Sequence, residues 1–271
     1  MSLKNAKPDW LSVPGTILLQ AEVGSGVHGL AIQNTDDRDE MGICVEPYAM
    51  ACGLHAPFEQ FCYRSAAERG GAGAPSEPGD LDLTIYSLRK WTRLALQGNP
   101  SILVLLFAPD FAVVQQSSAG EQLRKDLAPL FASRQAGQRF LGYLIGQRQR
   151  LLGERGQKNV NRKALTDRYG YDTKYAGHMV RLGYQGIEFM ETGRITLPMP
   201  ATERRVVRSI RQGDYSLNDV LSLAGRLEVS LRDLLTTSPL PMLPDTQAVE
   251  AWMLDQYWAK WSREENSEWT R

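Results

Sequence analysis

Two short runs and the crossing segment between them constrain this chain more than anything else in it: Gly24-Ser25-Gly26 and the acidic Thr35-Asp36-Asp37-Arg38-Asp39-Glu40. The first closes the stretch Gly15 to Val23, whose Ile17-Leu18-Leu19 run suits a buried strand, a short helix being the alternative. Gly24-Ser25-Gly26 reads as a turn. Successive backbone N–H groups in such a turn can form a nest for phosphate oxygens; glycine admits close approach of a ligand, and the Ser25 hydroxyl adds a donor. A second strand is expected between Asp37 and Val45, ending at Pro47, which has no amide hydrogen for a ladder. On a strand Asp37 and Asp39 share one face, and like charges held that close are relieved by a bound cation. Carboxylate oxygens are the hard ligands that Mg²⁺ takes, with Mn²⁺ as the alternative ion. Asp36 and Glu40 have the other parity and are expected to face solvent. Each run alone has an ordinary reading, because Gly-Ser is a common turn dipeptide and an acidic run is more often an exposed turn. The combination carries the signal.

Composition removes several classes. At 271 residues the chain can bury a core without disulfide or metal staples, and 42 % apolar against 23 % charged residues is globular composition. No uninterrupted apolar window is long enough for a transmembrane helix: the strongest, Ile102 to Val114, is broken by Pro109 and Asp110, so no membrane partner is expected. Cys44, Cys52 and Cys62 are odd in number and lack framework spacing, and MSLKNAKPDW has no apolar secretion-signal core. A cytoplasmic location is the expectation. Cys52 and His55 do not complete a zinc pattern with Cys44 and Cys62, and packed thiols account for the cysteines. The formal net charge of zero advertises no polynucleotide, yet Arg139 to Arg181 holds ten Lys or Arg against three acids. Arg148, Arg150, Arg155, Lys158, Arg162 and Lys163 form a candidate phosphate-backbone patch, with Tyr169 and Tyr171 as candidate stacking residues, against the ordinary readings of a solvated face and core tyrosines.

Ser65 to Gly79, rich in Gly, Pro, Ser and Ala, reads as a surface loop. Asp80 to Ser87 reads as a strand and Leu88 to Gln97 as a helix, with Ser87 as N-cap and Gly98-Asn99-Pro100 as the stop. Ile102 to Phe107 is a buried strand or a short helical piece. Beyond Gly120, Leu123, Leu127, Leu130 and Phe131, then Phe140, Leu141, Leu144 and Ile145, recur at helical spacing, as do segments at Lys174 to Leu182, Leu217 to Leu235 and Ala248 to Trp261. The fold class expected is α+β: a small mixed sheet with helices over residues 1–115, followed by a mainly helical region over 116–271.

A Gly-Ser pair followed by Asp-x-Asp resembles the signature of the DNA polymerase beta nucleotidyltransferase superfamily. More narrowly, GSGVHG from Gly24, TDDRDEMG from Thr35, IYSLRK with LALQGNP from Ile85, and YDTKYAGHMVRLG from Tyr171 resemble the predicted nucleotidyltransferase family that includes RNA-ligase-associated proteins and their phage relatives. The resemblance runs from about Val23 to Gly213, dense only in those blocks. It implies phosphate binding at Gly24 and Ser25, metal binding and catalysis at Asp37 and Asp39, and a third carboxylate on a later strand. Asp80 and Asp82 share parity, and Asp82 is chosen for lying closer to IYSLRK. Gly26 departs from relatives, which often carry Arg there. The reaction implied is metal-assisted attack of an acceptor on the α-phosphorus of a nucleoside triphosphate such as ATP, with departure of pyrophosphate.

Lys174, His178 and Arg181 are spaced by four and three, which gathers them on one helix face. The resemblance makes them nucleotide-binding residues, with His28 beside the glycine turn as a further contact. The bland alternatives are solvated cations and histidines packed with a satisfied nitrogen. Three classes therefore stand: an active nucleotidyltransferase acting on an RNA end, a small metabolite or a protein; a catalytically inactive nucleotide- or RNA-binding module; and an interaction protein without a nucleotide.

Overall fold

The structure is a computed structural model that describes residues 12–32, 37–55, 57–71, 73–74, 76–154 and 163–268. The apolar run before the glycine turn is β1 (Thr16–Glu22), and the acidic run leads into β2 (Arg38–Val45), which pairs with it antiparallel. A short α1 (Tyr48–Cys52) follows Pro47 and leads to β3 (Gln60–Arg64), α2 (Ser65–Gly70) and β4 (Leu81–Ser87). Parallel pairing of β4 with β2 and antiparallel pairing with β3 give, once β5 (Val113–Gln116) joins β1, a mixed five-stranded sheet of order β3-β4-β2-β1-β5.

Between β4 and β5 lie α3 (Leu88–Leu96) and α4 (Pro100–Leu103), the latter continued by a 3₁₀ turn over Val104–Phe107. Ser87 caps α3 as expected, its hydroxyl accepting from the Lys90 amide at 3.1 Å. Ile102 to Phe107 is thus helical: Asn99 Oδ1 accepts from the Ser101 amide at 3.0 Å and Pro100 fills the first turn, where a missing N–H costs nothing. The expected loop at Ser65 to Gly79 is corrected, since α2 occupies its first residues and the strand β3 runs into it.

After β5 the chain is helical: α5 (Ser118–Gln122), α6 (Arg134–Leu151), α7 (Lys163–Tyr169), α8 (Thr173–Thr192), α9 (Ala201–Gln212), α10 (Leu217–Thr237) and α11 (Thr246–Glu268). This matches the α+β expectation with a mainly helical C-terminal region. Strand parity divides the sheet's two faces. Leu81, Leu83 and Ile85 of β4 pack with Cys44 on one side, whereas Met41, Ile43 and Val45 of β2 join the main core with Trp91, Phe140 and Phe189 on the helical side. At Gly186 on α8 a Cβ would lie 2.8 Å from that of Phe140, so glycine lets α6 and α8 approach closely. Asp172 caps α8, its Oδ1 accepting from the Lys174 and Tyr175 amides at 3.0 Å each.

The last helix closes back on the sheet. Tyr257 donates from its hydroxyl to Glu46 Oε1 at 2.9 Å and accepts from the Arg89 amide at 3.0 Å, while Trp261 Nε1 donates to the Glu46 carbonyl at 2.9 Å. Burial pushes the Glu46 carboxyl above the ordinary range, against its hydrogen bonds, which pull it down. Among the described residues no helix is long and apolar enough to cross a membrane.

Candidate metal and nucleotide site

The parallel register sets Asp39 directly opposite Asp82, and paired residues of neighbouring strands point to one face, here the helical one. Asp37, one residue ahead of β2, brings its carboxylate to the same place: oxygens of Asp37, Asp39 and Asp82 all lie within 4.8 Å of one another. Repulsion among three carboxylates at that spacing is relieved by a divalent cation, and an all-oxygen set fits Mg²⁺ or Mn²⁺. Asp80 has the same parity but is spent elsewhere, accepting from the Ser65 hydroxyl at 2.9 Å, the Glu77 amide at 2.6 Å and the Arg69 guanidinium.

Glu40 corrects one expectation. Its parity does turn it away from the trio, but it is buried rather than solvated, accepting from Gln20 Nε2 at 2.6 Å and pairing with Arg38 at 2.6 Å. Asp36 lies outside the described residues.

The glycine turn abuts the trio. The Val23 amide donates to the Asp39 carbonyl at 2.9 Å, and a Cβ on Gly24 would stand 2.6 Å from Asp39 Oδ2. Only glycine lets the turn and the carboxylate sit that close. A Cβ on Gly26 would meet the Glu22 carboxylate, the mobile end of that side chain, which would have to swing aside.

Across from the trio, α8 presents Lys174, His178 and Arg181. Together with Gly24, Ser25, His28, Asp37 and Asp39 they line one cavity of about 270 Å³. Arg181 is held by burial, with the neighbouring Arg211 charge adding and Asp39 opposing, at a pKa of about 10. Its guanidinium donates to His28 Nε2, and the Gln185 side-chain amide lies 3.1 Å from Nδ1. Burial first, then the charges of Arg181 and His178, hold His28 well below 6.5, so the ring is neutral at pH 7.

Three polar side chains of the cavity were not singled out from the sequence: Gln147 on α6, Tyr175 on α8 and Arg211 on α9, whose guanidinium donates to the Leu30 carbonyl. The segment containing α9 gave no strong pattern, since only Val207 and Ile210 of it are buried. A second cavity, of about 470 Å³, opens on the other side of Asp39 and Arg181 and is lined by Asp82, Tyr63, Arg64 and Tyr86. There Arg64 Nε contacts Asp82 Oδ1 and Oδ2 at 3.3 and 3.4 Å, and its Nη2 donates to the Ala74 carbonyl at 3.3 Å and Ser76 Oγ at 3.0 Å.

One member of the basic patch is engaged within the fold. Arg148 pairs with Glu228 at 2.6 Å, and Arg155, Lys158 and Arg162 lie outside the described residues. Tyr171 is buried, its hydroxyl donating to the Tyr215 carbonyl at 2.7 Å, so it does not stack on a ligand. Packing explains only Cys44 among the thiols, since Cys52 and Cys62 are exposed.

A mixed sheet carrying three clustered carboxylates beside a Gly-Ser turn, completed by helices, defines the DNA-polymerase-beta-like nucleotidyltransferase class. Residues 6–221 match the family described as "RlaP: RNA repair pathway DNA polymerase beta family", and the chain belongs to that family. Among solved structures it is similar to a nucleotidyltransferase-like protein from Exiguobacterium sibiricum 255-15, at 11 % identity over 82 % of this chain and 69 % of that one, with a TM-score of 0.27. No curated protein matches the chain.

Proposed function

We propose that this protein transfers a nucleoside monophosphate from a nucleoside triphosphate, ATP among the candidates, to an acceptor, releasing pyrophosphate. The observation that carries the reading is the convergence of Asp37, Asp39 and Asp82 within 4.8 Å beside Gly24. Those three aspartates would hold Mg²⁺ or Mn²⁺. When bound, the ions supply charge neutralisation for the triphosphate and a lowered pKa for the acceptor hydroxyl.

The chain's own part is position and field. Gly24 and Ser25 offer backbone and hydroxyl donors to phosphate oxygens from one wall. Lys174 and Arg181 offer positive charge from the other, with His178 between them on the same helix face. His28, neutral and fixed at both nitrogens, sets the orientation of Arg181. The cavity beside Asp82 then receives the acceptor, and Asp82 stands where the attacking hydroxyl loses its proton. In this scheme residues 1–115 form the catalytic core and 116–271 complete the cleft, in keeping with a cavity lined by β-strand, turn and helix residues alike. The family's description as an RNA repair pathway supports an RNA end as acceptor over a small metabolite or a protein, and unpaired thiols fit a cytoplasmic setting.

The test is incubation with each labelled triphosphate, Mg²⁺ or Mn²⁺ and RNAs bearing defined ends, following label transfer and pyrophosphate release. Transfer that Asp39→Asn abolishes is the expected result, and transfer untouched by that change would remove the proposed site. One observation favours a second reading, a binding module without turnover: the Arg64 guanidinium lies against Asp82, where it competes with a cation. That reading predicts triphosphate binding with no pyrophosphate released.

A further inference from the structure

Gln147 is anomalous within the cleft. It sits on α6 among Phe140, Leu141 and Leu144, all buried, and is itself only 6 % exposed. Its Oε1 is buried with no hydrogen-bond partner among the described residues, although the residue lines the same cavity as Asp37, Asp39, Lys174 and Arg181. A buried amide oxygen left unpaired destabilises the fold, and an apolar side chain of similar size would remove that penalty. A glutamine retained there is explained by a partner that arrives with a ligand.

The ligand's chemistry follows from the neighbours. Lys174 and Arg181 are cations suited to phosphate, and the aspartates are suited to metal. Gln147 is an uncharged side chain that both donates and accepts, and its buried Oε1 has no partner of its own among the described residues, which suits it to the uncharged half of a nucleotide. We propose that Gln147 is a specificity-determining residue that reads the nucleoside portion of the triphosphate, Oε1 accepting from a ribose hydroxyl or an exocyclic amine. The assignment rests on the nucleotide-transfer reading of the same cavity.

The experiment measures affinities by calorimetry with Mg²⁺ present, for the four ribonucleoside triphosphates, their 2′-deoxy forms and inorganic tripolyphosphate. It compares the full-length protein with Gln147→Met and Gln147→Leu. The expected result is a loss of about tenfold for the preferred triphosphate in both variants, collapse of its preference over the analogue lacking the donor, and unchanged tripolyphosphate affinity. Melting temperatures of the variants should equal or exceed that of the unaltered protein, since an unpaired buried oxygen has gone; a packing role alone predicts the opposite. Preserved discrimination in both variants would overturn the assignment while leaving the nucleotide reading intact. If the unaltered protein binds neither tripolyphosphate nor any nucleoside triphosphate, both fall together.

Discussion

The Arg181 guanidinium donates to Nε2 of His28, and that contact decides where the imidazole keeps its proton. With Nε2 accepting, the neutral ring carries hydrogen on Nδ1, which lies 3.1 Å from Gln185 Nε2, and the Gln185 amide accepts that hydrogen when it is turned to present its oxygen. A buried arginine is thereby fixed between a neutral histidine and the carboxylate of Asp39, whose field opposes the lowering of its pKa. The cleft keeps a charge ready without a second cation at His28 to repel a neighbouring arginine.

The same pair predicts a pH dependence of stability. His28 is held below 6.5 in the folded chain, by burial first and then by Arg181 and His178, so the unfolded chain takes up a proton that the folded chain refuses. Its contribution is fully present above pH 6.5 and is lost as pH falls, by about 1.4 kcal/mol per pH unit until the folded value is reached. Thermal melts of the protein and of His28→Gln through this range check it. The variant should show the shallower acid slope, and equal slopes would contradict the assignment.

Asp39→Asn should lower divalent-ion affinity and nucleotide transfer by about a hundredfold or more. In a metal chelator the same variant should melt near the temperature of the unaltered protein, because relief of repulsion among three carboxylates is offset by loss of the charge beside the buried Arg181. Calorimetric Mn²⁺ titration and melts with and without chelator measure both effects. A large loss of stability in chelator would instead assign Asp39 a structural role.

Gly24→Ala places a methyl group 2.6 Å from Asp39 Oδ2, so turn and carboxylate must part. The expected outcome is weaker metal binding, with a destabilisation of about 1–3 kcal/mol from overpacking. Denaturant unfolding and Mn²⁺ titration of the variant decide the point. Unchanged metal affinity would mean that the turn does not hold Asp39 in place.

At the far end of the sheet the sign of the pH effect reverses. Burial raises the pKa of Glu46, so its contribution is fully present below the unfolded value of 4.5 and lost as pH rises through the folded one. Glu46→Gln should therefore be more stable than the unaltered protein near neutral pH. Tyr257→Phe, which strips the carboxylate of its 2.9 Å donor, should lose about 1–2 kcal/mol. Denaturant unfolding of both variants checks the pair, and equal effects of the same sign would refute the account.

How far the sequence carried is clearest at the carboxylates. Gly24, Asp37 and Asp39 are separated along the chain by a single crossing segment, so local spacing and parity sufficed to bring them together. Asp80 and Asp82 share parity, and no local rule divides them; the register Asp39↔Asp82 and the capture of Asp80 by Ser65 and Arg69 are tertiary facts. Strand β3 escaped notice because it is five residues long with none fully buried, and Cys62 between Phe61 and Tyr63 masks the alternation of the two rings that pack on the sheet. Gln147 was hidden among the basic residues of its segment, where a polar side chain looks like surface until α8 is packed over it. Glu40 shows the opposite error: parity placed it correctly off the metal face, but a side chain leaving one face of a sheet can meet a buried Gln20 as readily as water.

The bonds from Tyr257 and Trp261 to Glu46 join positions 211 and 215 residues apart. A ribosome making this chain delivers β1 and β2 early, yet Tyr257 of the helix that covers Glu46 emerges 211 residues after it. During translation the edge around Glu46 and Arg89 stays uncovered, and a prematurely stopped product would carry all three aspartates while leaving that edge open to wrong partners.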